Sequence, residues 1–303
     1  ERAIAMSSPS RVHEDVLHRF LIERANVRGV LVRLHESWEA VRASGDYPAE
    51  VARVLGESLA ATALFGGHLK VDGRISLQLK GPASLRTVFA EYRDPGLLRG
   101  LARWVEPVPA PLTPRQFGAD ALLALTVETR LPRQRDPVRY QGLVGLDADS
   151  LAAACERYFS QSEQLPTRLL LIQDGDRAAG LLLQPLPGED GDADGWTRVQ
   201  ALLETLTPQE LLGLPAETLL YRLFHEDGVR LLSEQALAFG CTCSRERVGQ
   251  MLQGLGEAEA TAAIEGDQAT VTCEFCGRSY GFDRIDIAGL FALPSAPGPS
   301  TPQ

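Results

Sequence analysis

Four of the five cysteines in this chain fall into two close pairs, Cys241-Thr242-Cys243 and Cys273-Glu274-Phe275-Cys276. Twenty-nine residues separate the pairs, enough for a helix and a turn that bring the second pair back to the first. Four soft thiolates converging in this way suit a tetrahedral zinc site with Zn–S bonds of about 2.3 Å. The second pair, followed at once by Gly277, looks like the turn of a zinc knuckle. The first pair is unusual, because structural fingers mostly space their ligands by two to four residues. A CxC can bind metal when reduced and close on itself when oxidised. Its Cα atoms lie at most about 7 Å apart, so closure needs a bent, strained backbone, and strained bridges are readily reduced. Spacing alone leaves two uses open, a purely structural zinc site and a zinc site that is also a thiol switch; the CxC favours the switch.

The other reactive side chains form no catalytic constellation. Cys155 follows Ala152-Ala153-Ala154 on a helical face and reads as a small buried hydrophobe. His13, His18, His35, His68 and His225 are scattered, without HxxxH or HExxH spacing. No GxSxG, phosphate-binding loop or carboxylate pair stands out, so no enzymatic activity is expected. A thioredoxin-type CxxC should open a helix after a buried strand. Here Gly277-Arg278-Ser279-Tyr280-Gly281-Phe282 reads instead as a turn entering a strand.

The elements that must position the cysteines follow from periodicity. Val51, Val54, Leu55, Leu59 and Leu64 recur at helical spacing, and Ala60, Ala61 and Ala63 would let that helix lie close to a sheet. His68 to Val71 and Arg74 to Leu79 flank Asp72-Gly73, a hairpin signal. Thr87 to Tyr92, Leu122 to Thr129 and Tyr140 to Leu146 read as strands, Leu151 to Gln164 as a helix, and Leu169 to Gln173 with Gly180 to Leu186 as a second hairpin around Asp174-Gly175. The fold class expected is α+β, with a largely antiparallel sheet in an N-terminal domain over 1–186.

An acidic, glycine-rich stretch then opens a connector and helical linker over 187–233. Thr207-Pro208-Gln209-Glu210 fits a capping box, and Pro215 opens a further helix, so about 196–235 is read as helices. A zinc-binding segment is expected over 234–288, with Ser244 capping a helix through Val248, Met251 and Leu252 and with Thr270 to Thr272 as a strand. Residues 289–303 read as a disordered proline-rich tail.

Composition narrows the function classes. Hydrophobic residues at 44% and charged ones at 23% describe an ordinary globular protein, and a net charge of −10 argues against a nucleic-acid partner. No apolar run is long enough to span a bilayer, Glu1 to Ser10 holds no signal-like apolar core, and a reducing cytoplasm is the expected compartment. From Glu234 to Asp286 nine acidic and four basic side chains give −5 before the cysteines count, unlike a DNA-reading finger. Roughly fifty residues bury little apolar surface, whereas structural zinc contributes about 10–16 kcal/mol in finger peptides. Oxidising such ligands would make metal loss and unfolding one event.

Val27-Arg28-Gly29, Leu55-Gly56-Glu57-Ser58-Leu59-Ala60, Leu77 to Pro82, Tyr158 to Gln164, Gly180 to Gln184 and Leu223-Phe224-His225-Glu226, together with Cys-x-Cys-Ser and Cys-x-x-Cys, resemble the redox-regulated 33-kDa heat-shock chaperone family. The resemblance runs from about Val27 to Ile285. It implies a holdase that is inactive when Cys241, Cys243, Cys273 and Cys276 bind zinc. It further implies that oxidation forms Cys241–Cys243 and Cys273–Cys276, ejects the metal, unfolds the zinc segment and loosens the linker. Active members are associated with homodimers, and the partners implied are unfolding client proteins under stress. Leu202, Leu206, Leu219, Leu220 and Leu223 are the candidate client-binding residues, because the linker carries more apolar surface than an isolated segment keeps in water. The competing reading is an interaction module with a constitutive zinc site.

Overall fold

A computed structural model describes residues 15–69, 73–130, 137–187, 192 and 194–292, in two compact units that divide between Gly240 and Cys241. His13, Lys70 to Asp72, most of the acidic connector and residues 293–303 of the expected tail lie outside the described residues, whereas 289–291, expected in that tail, belong to the last helix, Arg284–Phe291. The first unit runs β1 (Val16–Ile22), β2 (Val27–Leu34), α1 (Glu36–Arg42), α2 (Ala49–Leu69), β3 (Gly73–Lys80), β4 (Leu85–Arg93), β5 (Leu97–Trp104), β6 (Leu122–Thr129) and β7 (Val138–Gly145). It continues through α3 (Leu151–Tyr158), β8 (Arg168–Asp174), β9 (Arg177–Pro185), α4 (Gly195–Glu204), α5 (Pro208–Gly213), α6 (Ala216–Phe224), β10 (Val229–Ala236) and β11 (Ala238–Phe239).

Two sheets result, confirming the α+β class. One is five-stranded, in the order β10-β1-β2-β9-β8, and antiparallel throughout. The other is six-stranded, in the order β11-β5-β4-β3-β6-β7, with only β11 parallel to its neighbour. Helix α2 touches both sheets and is buried along almost its whole length. Its small residues make that possible. A Cβ on Gly66 would sit 2.4 Å from the Tyr92 ring of β4, and one on Gly67 would sit 2.5 Å from Leu17 of β1. Glycine is what allows both sheets to close on one helix.

The five-stranded sheet is covered on both faces. Along β9, Ala178 and Leu182 face α2, whereas Ala179, Leu181 and Leu183 face α4, α5 and α6. The three helices bring Val199, Leu203, Leu211, Leu219, Leu220 and Phe224 onto that outer face, and Phe224 stacks on Phe20 of β1 with ring centroids 6.3 Å apart. Thr207 and Glu210 form the reciprocal cap expected of α5. The Arg198 guanidinium of α4 pairs with the buried Asp227 carboxylate.

Three local expectations change. His68 and Leu69 end α2 instead of starting a hairpin, and β3 pairs with β4 and β6. A helix buried on all sides lacks an amphipathic stripe, so the Asp72-Gly73 turn signal dominates the reading of its end. The stretch to 235 is not all helical, because Val229–Ala236 is strand β10 at the edge of the five-stranded sheet. Glu234 accordingly lies inside that strand, opposite His18 of β1.

The second unit runs α7 (Arg245–Leu255), α8 (Glu257–Ala262), β12 (Gln268–Thr272), β13 (Ser279–Asp283) and α9 (Arg284–Phe291). The Ser244 hydroxyl caps α7 by accepting from the Arg247 amide. Among the described residues its core holds six buried apolar side chains: Val248, Leu252, Ala260, Ala269, Phe282 and Ile287. Arg245 adds a guanidinium 4.3 Å above the Phe282 ring and an ion pair with Asp286.

Candidate metal centre

Each half of the cysteine cluster is shaped by its own turn. Antiparallel pairing of β12 and β13 brings Thr272 opposite Ser279, so the chain between them must reverse tightly. The Cys273 amide donates to the Arg278 carbonyl at 2.9 Å, and the Gly277 amide donates to the Cys273 carbonyl at 2.8 Å. Gly277 takes φ +69°, a region glycine enters without steric cost, and this closes the turn that carries Cys273 and Cys276. Cys241 and Cys243 lie on the approach to α7, where the Arg247 guanidinium holds the Thr242 carbonyl at 2.8 Å.

The four Sγ atoms lie within 4.8 Å of one another. Cys241 Sγ is 3.6 Å from Cys273 Sγ, and Cys243 Sγ is 3.4 Å from Cys276 Sγ. All four cysteines are half-buried, and all are free thiols. The Tyr280 hydroxyl of β13 donates to Cys243 Sγ at 3.0 Å. Sequence reasoning missed this residue. The alternation of β13, which puts Tyr280 on the same face as the core residue Phe282, was the signal that could have found it.

The electrostatics of the cluster favour a cation. Burial pushes the Cys241 thiol up to about 12, and hydrogen bonds to the neighbouring thiols reinforce this. Burial also raises Cys276. For Cys243 burial opposes ionisation, but hydrogen bonds from Tyr280 and the other three thiols outweigh it and bring the group down to about 7. One thiolate is thus stabilised by its neighbours, and its charge then resists ionisation of the rest. Four sulfurs held this close ionise together only around a positive ion, so the cluster can hold a metal.

The remaining expected site residues lie in the first unit. Leu206, Leu219 and Leu220 are buried under α4 to α6, and Leu202 and Leu223 are half-buried against the same core. Cys155 is buried on α3 among the residues around α2, and burial pushes its thiol well above the ordinary range. Among the described residues the histidines come to no common centre: His18 faces Glu234, His35 faces Asp176, His68 meets Arg28, and His225 lies against the Tyr221 carbonyl.

Comparison with known proteins places these observations. A family model described as Hsp33 protein matches residues 15–283. The 33 kDa chaperonin of Nitrosococcus oceani is 45% identical over 280 residues, covering 92% of this chain and 95% of its own. The 33 kDa chaperonin of Chromobacterium violaceum is 41% identical over 280 residues, covering 92% and 94%. The crystal structure of the 33 kDa chaperonin from Thermotoga maritima, also described as a heat shock protein 33 homolog, aligns with a TM-score of 0.77 over 92% of this chain and 98% of that one. Its identity is 22%, so the likeness speaks to the fold.

Proposed function

This chain belongs to the Hsp33 family of chaperones, and on that premise we propose that it is a redox-regulated holdase. In the reduced state Cys241, Cys243, Cys273 and Cys276 hold one Zn²⁺. A zinc tetrahedron with bonds of about 2.3 Å has edges of about 3.8 Å, and the sulfur separations of 3.6 and 3.4 Å sit close to that. The metal supplies the folding energy that a core of six apolar side chains lacks.

Oxidation then acts on the ligands. Two equivalents of a peroxide-class oxidant take an electron pair from each of two thiolate pairs. Cys241–Cys243 and Cys273–Cys276 form, four protons are consumed and four water molecules leave. Sequence neighbours pair first because their loops present the highest local thiol concentration. Cysteines in disulfides no longer serve as ligands, so the second unit unfolds. The chain enters that unit directly from β10 and β11, and fraying passes back through them to α4, α5 and α6. Leu202, Leu206, Leu219, Leu220 and Leu223, together with the sheet face beneath them, then capture unfolding proteins. The active form is a homodimer, works in the cytoplasm under oxidative stress, and binds its clients without altering their covalent bonds.

The observation that carries this reading is four free thiols within 4.8 Å of one another in a unit with so small a core. A chain ending at Gly240 tests it, since that cut keeps β10 and β11 whole. The shortened, reduced protein should stay folded and suppress aggregation of a heat-denaturing client without oxidant, as light scattering reads it. Suppression no better than that of the reduced full-length chain would place the switch elsewhere.

A further inference from the structure

Tyr280 reaches across the cysteine cluster from one half to the other. It lies on β13, just beyond the turn that carries Cys273 and Cys276, and pairs with Val271 of β12. Its hydroxyl donates at 3.0 Å to Cys243 Sγ, which the approach to α7 supplies. The tyrosine is well held. Its ring packs against the small core of the second unit, and next to it the Thr272 and Ser279 hydroxyls meet at 2.9 Å and tie β12 to β13. A tyrosine has only two side-chain torsions, so a packed ring leaves its hydroxyl little freedom to leave the sulfur.

The sulfur contacts run the same way. Cys243 Sγ rests 3.4 Å from Cys276 Sγ, and Cys241 Sγ rests 3.6 Å from Cys273 Sγ, so both contacts cross between the halves. The oxidised pairs proposed above lie within the halves. Closing Cys241–Cys243 therefore requires Cys243 Sγ to turn away from Cys276, and the bond from Tyr280 holds it in place. The same bond alters the chemistry of the sulfur. A thiolate that accepts a hydrogen bond is stabilised as an anion and gives up part of its electron density, and the thiolate is the form that attacks an electrophile.

We propose that Tyr280 is a positioning residue that guards Cys243, making it the least reactive sulfur of the four. The inference rests on the reading of the chain as a redox-regulated chaperone and adds the residue that sets the reactivity of one ligand. The step affected is attack of the Cys243 thiolate on a peroxide. A sulfur–oxygen bond forms as the oxygen–oxygen bond breaks, the sulfur gives up two electrons, and the departing hydroxide takes a proton from solvent. Cys241 then displaces the sulfenic hydroxyl, which leaves as water, and the disulfide closes. Tyr280 raises the barrier to the first step, because its hydrogen bond weakens as negative charge leaves the sulfur.

The experiment treats the reduced, zinc-loaded full-length chain with a fraction of an equivalent of iodoacetamide, whose iodide a thiolate displaces. Singly labelled chains are then mapped by mass spectrometry. Cys243 should carry the smallest share of label among the four clustered cysteines of the wild-type chain. Tyr280→Phe removes the hydroxyl and keeps the ring. In it the ratio of label on Cys243 to label on Cys273 should rise about tenfold, equivalent to about 1.4 kcal/mol and within reach of one hydrogen bond to a charged acceptor. Zinc release by peroxide should quicken with it, whereas loss of zinc to a chelator without oxidant should not. Preferential labelling of Cys243 in the wild-type chain overturns the inference whether or not the variant folds. An unchanged ratio in a variant that still holds zinc overturns it as well, and so does a rise shared equally by all four cysteines, which loosened packing alone would give. If peroxide frees no zinc from the wild-type chain, the redox reading falls too, whereas zinc release with an unchanged ratio defeats this inference alone.

Discussion

Replacing Phe224 by alanine should switch the chaperone partly on without oxidant. The side chain is fully buried at the end of α6 and stacks on Phe20, so it pins the helical layer to the five-stranded sheet. Truncating a buried phenylalanine costs about 3–5 kcal/mol. The loss falls on the docking of α4 to α6, because Phe224 packs in their core and not in the core around α2. At about 1.4 kcal/mol per tenfold, the equilibrium for lifting the helices shifts by roughly two to three and a half orders of magnitude. Hydrogen exchange in the reduced, metal-loaded protein should show amides of α6 exchanging at least about a hundredfold faster, with β3 and β4 unchanged. Light scattering of a heat-denaturing client should then show partial suppression under reducing conditions. Faster exchange without suppression would mean that the surface released is not the client site. Unchanged exchange would refute the anchoring role itself.

Gly66→Ala should destabilise the first unit by about 1–3 kcal/mol through a clash with the Tyr92 ring, and a thermal melt matching wild type would show that α2 has room to spare. His68 is held neutral: burial, reinforced by the Arg28 guanidinium at 3.0 Å, pushes its imidazole from 6.5 down to about 4. The unfolded chain therefore takes up this proton first, and stability falls by about 1.4 kcal/mol per pH unit as pH drops from about 6.5 to 4. Urea melts should find a shallower loss between pH 7 and pH 5 in His68→Gln than in wild type, and equal slopes would contradict the assignment. Cys155, fully buried with its thiol pushed up, should resist alkylation until global unfolding, so labelling in the native state would refute its placement.

The cysteine cluster was legible because ligand type and spacing carry the information themselves, and no long-range packing had to be known. Helices with end signals were legible for a similar reason: Thr207 with Glu210 and Ser244 with Arg247 mark their starts locally. Strands were harder. Val27–Leu34 is buried on both faces of its sheet and gives an almost continuous apolar run with no period of two. Strand β10 fails in the opposite way, since an exposed edge lets Arg230, Leu231, Leu232, Ser233 and Glu234 follow one another without alternation. The two-residue β11 exists only through its parallel pairing with β5, a contact that no local pattern encodes. The alternation of β13 puts Tyr280 on the core face, but that its hydroxyl meets Cys243 depends on how α7's approach packs against β13, which no local pattern encodes.

Titrating the reduced, zinc-loaded full-length chain with peroxide tests the central claim most directly, with zinc release followed by a chromogenic chelator and client aggregation by light scattering in the same samples. One zinc per chain should leave as two disulfides form, mapped to Cys241–Cys243 and Cys273–Cys276 with Cys155 still free, and suppression of aggregation should rise in step with release. Suppression that appears while zinc stays bound, or zinc that leaves with no gain in suppression, would contradict the account.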